Sequence, residues 1–141
     1  MTLYVDTSVL VAALTPETAT KRMQTWLAAQ KADLLAVSLW VVAEFSAALS
    51  VKIRTGDLDQ SHRARALAAF AVLCEDSFGM LGVSALSFRT AAHFADQAQL
   101  GLRAGDALHL AICAEHGLEL CTLDQVLGAS GPAVGVHTML L

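Results

Sequence analysis

Leu3-Tyr4-Val5-Asp6-Thr7-Ser8 opens the chain with an apolar, β-branched stretch that runs directly into a carboxylate and two hydroxyls. A fresh apolar run, Val9 to Leu14, follows at once. The first part reads as a short strand and the polar group as the turn into a helix. In a parallel sheet such a turn faces ligands, because helices cover the faces while the carboxyl ends of the strands stay open. Asp6 is therefore the first candidate site residue. The alternative is that it only caps the helix or makes an Asx turn.

Working outward, Thr15-Pro16-Glu17 has the form of a helix start, with Ala19, Met23, Trp26 and Leu27 at helical spacing behind it. An amphipathic helix over 16–30 is predicted. Leu34 to Val37 reads as the second strand, and Ser38 as the cap of a helix over 39–54. Gly56 ends that helix and Asp59 caps the next, giving a helical hairpin over 39–76. Met80 to Ser84 reads as the third strand, followed by a helix over 86–99. Gly101 and Gly105 bracket a loop that holds Arg103, and Asp106 opens the apolar helix Ala107 to Ala114, closed by Gly117. Leu118 to Thr122 is the fourth strand, and Thr122-Leu123-Asp124 repeats the opening pattern of strand, hydroxyl, acid, helix. A last strand is predicted over Ala133 to Thr138. Strands alternating with helices predict a single α/β domain over 1–141, with a mostly parallel sheet of four to five strands.

At 141 residues the chain can bury a core without metal or disulfide staples. It is 55% apolar, with a mean hydropathy of +0.55. That is more than one domain of this size hides, so a second protein surface is implied. The longest apolar run, Ala66 to Cys74, falls short of the ~18 residues that a membrane span needs. With an acid at position 6 and no basic segment before an apolar one, no signal peptide is expected, and a cytoplasmic location follows. The net charge of −4 does not announce a nucleic-acid binder, but acids that hold divalent cations would bring the loaded protein closer to neutrality. Cys74, Cys113 and Cys121 lack metal-ligand spacing and sit in apolar neighbourhoods, which predicts buried free thiols.

Glu44 is the least comfortable residue. From Val37 to Leu49 the only other polar side chains are Ser38 and Ser46. A carboxylate there needs a compensating partner, unless it lies on a narrow solvent stripe. If the first strand lies between the second and fourth, Asp6, Glu44, Asp106 and Asp124 converge on one edge of the sheet. Two carboxylates about 5 Å apart repel by roughly 3 kcal/mol at an effective dielectric near 20, so such a cluster demands cations or protons. A carboxylate-only group without nearby His or Cys suits Mg²⁺ or Mn²⁺. Lys52, Arg54, Arg63 and Arg65, with His62 among them, mark either a solvated helix end or a phosphate contact. Arg103 has the same two readings, and His109 is expected to be a core histidine or one that braces the site through a hydrogen bond.

Asp6-Thr7-Ser8, Glu44 in its apolar helix, Arg103-Ala104-Gly105-Asp106-Ala107-Leu108-His109-Leu110-Ala111 and Thr122-Leu123-Asp124 together resemble the ordered motifs of PIN-domain ribonucleases, specifically the VapC-type toxins of toxin–antitoxin pairs. The resemblance runs from residue 3 to the last strand. It implies a PIN-like three-layer sandwich and a metal-dependent endoribonuclease that leaves a 5′-phosphate and a 3′-hydroxyl. It also implies a homodimer and a cognate antitoxin that blocks the cleft. Asp6 and Asp106 would then be direct ligands of Mg²⁺ or Mn²⁺, with Glu44 and Asp124 completing the acidic quartet, and Ser8 or Thr7 could orient water. Metal-assisted hydrolysis of this kind needs no side-chain nucleophile. A phospho-acceptor signalling module is the rival reading; Glu44 in mid-helix and the lack of a lysine near the last strands oppose it. A dehalogenase-type phosphatase would want an acid where Ser8 stands, and no G-x-S-x-G elbow supports a serine hydrolase. A catalytically dead PIN scaffold would bind partners only.

Overall fold

The structure, a computed structural model, describes residues 2–141. Its elements in chain order are β1 (Leu3–Val5), α1 (Thr7–Leu14), α2 (Thr20–Ala29), β2 (Leu35–Ser38), α3 (Leu39–Thr55), α4 (Gln60–Asp76), β3 (Gly79–Leu81), α5 (Ala85–Ala95), α6 (Ala104–His116), β4 (Glu119–Thr122), α7 (Gln125–Ser130) and β5 (Thr138–Leu140). The five strands form one sheet in the order β3-β2-β1-β4-β5, and every pairing is parallel. This is an α/β fold built on one parallel sheet.

Handedness builds the layers. The chain steps from β1 to β2 to β3 in one direction, then jumps back across the sheet to β4 and β5. Right-handed crossovers therefore put α1 to α4 on one face and α5 to α7 on the other. The strand order reverses between β1 and β4, where a crevice opens at the carboxyl ends of the strands. The core fills both sides of β1: Tyr4 and Val5 are fully buried, as are Val9, Leu10, Val41, Leu49, Leu110, Ile112 and Leu120.

A long connection brings α6 to that crevice. Ser87 and Ser84 at the start of α5 donate to the Glu115 carboxylate near the end of α6, at 2.5 and 3.1 Å. The two helices therefore run antiparallel, and α6 starts on the same edge at which β1 ends. Gly101, at φ +68°, makes the left-handed turn between them.

Several predicted boundaries need correction. The helix predicted over 16–30 begins at Thr20, because Thr15 ends α1 instead: its backbone is extended and its hydroxyl donates to the Val11 carbonyl at 2.6 Å. Gly105 is not a loop glycine and Asp106 does not open α6. Both lie in its first turn, with Arg103 as the flanking residue. The third strand is shorter than predicted and α5 ends at Ala95. The last strand is Thr138–Leu140, because Pro132–Val134 takes a 3₁₀ turn and Gly135, at φ +81°, redirects the chain before Thr138 pairs with Leu120. Cys113 and Cys121 are buried free thiols, and burial pushes Cys121 up to about 12. Cys74 is only half-buried.

Candidate metal centre at the sheet edge

Asp6 follows the last residue of β1 and is 4% exposed. It flanks α1 without capping it, since its side chain takes no hydrogen bond from the helix backbone. Instead Oδ2 accepts from the Ser8 hydroxyl and from the Thr122 hydroxyl of β4, both at 2.7 Å. The capping alternative for Asp6 is thereby excluded. Two hydroxyl bonds satisfy this oxygen in a buried position where it would otherwise lack a partner.

Glu44 lies in the second turn of α3, half-buried. Its Oε1 accepts from the Thr7 hydroxyl at 2.7 Å and is bonded by Nε2 of His109. Burial pushes the Glu44 carboxyl up, but the bond and charge of His109, with the Thr7 bond, outweigh it and hold the group below its ordinary range. A solvent-stripe position is ruled out by these partners.

His109 is 1% exposed, on α6. Its Nε2 also lies 3.3 Å from Asp6 Oδ1. Its Nδ1 meets the Tyr4 hydroxyl at 2.8 Å, and that hydroxyl meets Ser38 Oγ at 2.7 Å. Burial works against a charged imidazole here, yet the Glu44 bond and the charges of Asp6, Glu44 and Asp106 hold it above its ordinary value. The expectation of a carboxylate-only cluster without a nearby histidine is therefore corrected: Asp6 Oδ1, Glu44 and His109 Nε2 form the tight group, with one ligand atom from each lying within 4.8 Å of the others.

Asp106 and Asp124 stand outside that tight group but feel it. Asp106 accepts from the Arg103 backbone N–H at 3.2 Å. Burial first, and then the charge of Asp124, push its carboxyl up. Asp124 Oδ1 caps α7 by accepting from the Leu127 N–H at 3.0 Å, and its own N–H donates to Thr122 Oγ1, the hydroxyl that holds Asp6. Thr122 thus joins Asp6 to Asp124 and His109 joins Asp6 to Glu44, while Asp106 is coupled to Asp124 and His109 through charge alone.

The charge balance fits a divalent cation. Among the described residues the ion-pair partners of these four acids are His109, for Asp6 and Glu44, and Arg103, 3.7 Å from Asp106 and with an 86% exposed side chain. Four carboxylates against one imidazole and one solvent-held guanidinium leave negative charge uncompensated. Oxygen donors dominate, as a hard ion prefers. Gly105 makes room for two side chains of α3: a Cβ there would lie 3.1 Å from Glu44 Oε2 and 3.3 Å from the Trp40 ring. Trp40 Nε1 beside it is buried without a partner among the described residues.

The mouth of the site is a depression of about 380 Å³ lined by Thr7, Ser8, Val11, Glu17, Ala48, Leu123 and Asp124. Lys52 pairs with Glu17, one of its lining residues, at 2.9 Å. Two other depressions, of about 490 and 390 Å³ along α1, α2 and α4, contain none of the acids.

Sequence reasoning identified Asp6, Glu44, Asp106 and Asp124 but gave no part to Tyr4, Ser38 or Thr122. The only local signal for Thr122 was its place in the repeated strand-hydroxyl-acid pattern.

The PIN domain family matches residues 3–129. No curated protein matches by sequence. Among solved structures the chain is similar to VapC20 of Mycobacterium tuberculosis, a sarcin–ricin-loop-cleaving toxin, with a TM-score of 0.74 at 18% identity over 92% of this chain and 95% of that one. It is similar to FitAcB from Neisseria gonorrhoeae, with a TM-score of 0.70 at 20% identity over 97% and 96%. VapBC2 from Rickettsia felis, bound to a fragment of promoter DNA, gives a TM-score of 0.64 at 14% identity over 99% and 98%. At these identities the likeness speaks for the fold.

Proposed function

The chain belongs to the PIN domain family, and from that premise we propose that it is a metal-dependent endoribonuclease, the toxin of a toxin–antitoxin pair. The observation that supports the proposal is the tight group of Asp6, Glu44 and His109 at the end of β1, with Asp124 linked to it through Thr122 and Asp106 coupled to it by charge. The toxin neighbours, one of them a sarcin–ricin-loop-cleaving toxin, support RNA as substrate and an antitoxin as partner.

In this reading Asp6 and Asp106 hold Mg²⁺ or Mn²⁺ directly, and Glu44 and Asp124 complete the quartet. The bound ion supplies an activated water near neutral pH and offsets charge on the phosphate during hydrolysis. The chain's residues set the stage. Ser8 and Thr122 fix the Asp6 carboxylate, Thr7 and His109 hold Glu44, and Arg103, exposed beside Asp106, can meet a neighbouring phosphate. The mouth beside Thr7, Ser8 and Asp124 admits the RNA backbone.

Exposed Leu39, Val42, Leu86 and Phe88, on α3 and α5, support a homodimer. The apolar depressions along α1, α2 and α4 support an antitoxin groove. No helix among the described residues is long and apolar enough to cross a membrane, which accords with a cytoplasmic role.

The test is cleavage of a randomised RNA pool by purified protein with Mg²⁺ or Mn²⁺, with EDTA, and with Asp6→Asn or Asp106→Asn. Each substitution is expected to lower the rate by about 10²–10³-fold, as loss of a preorganised electrostatic partner does. Undiminished cleavage by either variant, or by wild type in EDTA, would discard the assignment. A wild-type protein that binds metal but cuts nothing would mark an inactive scaffold.

A further inference from the structure

The tight group at the sheet edge has a member that the acidic quartet does not include. His109 lies in the interior with Nε2 facing only carboxylates, Asp6 Oδ1 at 3.3 Å and the bonded Glu44. Acceptors on that side require Nε2 to carry a proton. The other nitrogen meets Tyr4 Oη at 2.8 Å, and Tyr4 Oη meets Ser38 Oγ at 2.7 Å. A hydroxyl both donates and accepts, so this chain satisfies either state of the ring. With a neutral ring, Ser38 donates to Tyr4 and Tyr4 donates to Nδ1. With a charged ring, Nδ1–H donates to Tyr4 and Tyr4 donates to Ser38. In both, Nε2–H stays aimed at the two carboxylates.

From this geometry we propose that His109, held by Tyr4 and Ser38, is a positioning residue that sets the Glu44 carboxylate against Asp6. The inference rests on the nuclease reading for its kinetic consequence but not for its structural one. Glu44 comes from α3 and Asp6 from the end of β1, and no bond joins them directly. The ring from α6 is the bridge, and among the described residues Thr7 is Glu44's only other side-chain partner. The ring itself is 1% exposed, with the Tyr4 ring tilted beside it at a centroid distance of 5.7 Å. It cannot swing to another partner without opening the core.

The experiment compares His109→Leu, His109→Gln, Tyr4→Phe, Glu44→Gln and the double variant Glu44→Gln/His109→Leu on the best-cleaved member of a randomised RNA pool with Mn²⁺. Loss of a brace behind a working carboxylate costs about 10–100-fold. His109→Leu is expected to lose that much in kcat with KM little changed, and Tyr4→Phe less. His109→Gln, which keeps an N–H donor near the Nε2 position, should recover most of the loss. The double variant should be no slower than Glu44→Gln alone, because both act through one carboxylate. A purely structural histidine would instead give losses that multiply, with no rescue by glutamine, and that result overturns the proposal.

A readout independent of cleavage is the ¹⁵N-edited proton spectrum of metal-free protein. The His109 Nε2–H proton should appear at low field, protected from exchange, and move upfield in Glu44→Gln. An unchanged resonance overturns the inference even if the wild type proves to cut RNA. If the wild type cuts nothing, the nuclease reading fails and the resonance alone decides this one.

Discussion

The inner and outer halves of the acidic edge solve the same electrostatic problem in different ways. Asp6 and Glu44 are satisfied by protein groups: three hydroxyls, from Thr7, Ser8 and Thr122, and one imidazole. Asp106 and Asp124 are placed by backbone N–H groups at helix starts, and each leaves the other's charge uncompensated. A carboxylate embedded in side-chain donors stabilises the folded chain without any ion, whereas two that repel each other and hold only backbone bonds and one solvent-exposed guanidinium gain from one. Simple relief of repulsion would make loss of either acid stabilising, but this contrast divides them: Asp106 should behave that way and Asp6 should not.

The largest test of the contrast is cation binding itself. A ligand at about 100 times its Kd stabilises by about 2.7 kcal/mol, so saturating Mn²⁺ should raise the melting temperature of wild type by several degrees. The shift should shrink sharply in Asp106→Asn. No shift in wild type at millimolar Mn²⁺ would mean that the outer half does not await an ion.

Next comes Asp6→Asn in EDTA. Breaking charge-assisted bonds to Ser8, Thr122 and His109 in a buried site costs about 1–3 kcal/mol. Urea unfolding should show that loss, and an unchanged midpoint would count against the inner half being self-satisfied. Asp106→Asn in EDTA should go the other way, raising the midpoint modestly at pH 7. The sign follows from linkage. The folded Asp106 carboxyl sits above its unfolded value, so its contribution to stability is fully present below the ordinary aspartate range near ~3.9 and is lost as pH rises through the raised value. The advantage of asparagine should therefore vanish in acid. A gain that persists at pH 3 would point to packing instead of charge.

The smallest expected effect is Gly105→Ala. A Cβ would press on Glu44 Oε2 and the Trp40 ring, while alanine favours the helix by roughly 0.5–1 kcal/mol. Stability should barely move, but Glu44 must shift by a few tenths of an ångström, and cleavage should fall by less than about tenfold. Unaltered kinetics would show that the position of Glu44 tolerates more than the inner half suggests.

The legibility of these features in the sequence follows their range. Asp6 and Asp124 could be read because a strand end, a hydroxyl and an acid lie within a few residues. Glu44 stood out because its helix is otherwise apolar. The start of α2 was misplaced because threonine before proline fits either the end of one helix or the start of another, and only the bond from Thr15 to the Val11 carbonyl decides between them. Gly105 looked like a loop residue because its reason, the close approach of the Glu44 and Trp40 side chains, involves residues some 60 positions away.

Local pattern alone determined the alternation of strands and helices, the parallel sheet, and which acids stand at strand and helix ends, because backbone hydrogen bonding and apolar periodicity act over a few residues. The tertiary structure decided that β1 lies between β2 and β4, and that Tyr4, Ser38 and His109 meet beneath Glu44 and Asp6. Contacts between residues 34 and 105 positions apart leave no trace in local spacing. They exist only once burial of the sheet's two faces has fixed the order of its strands.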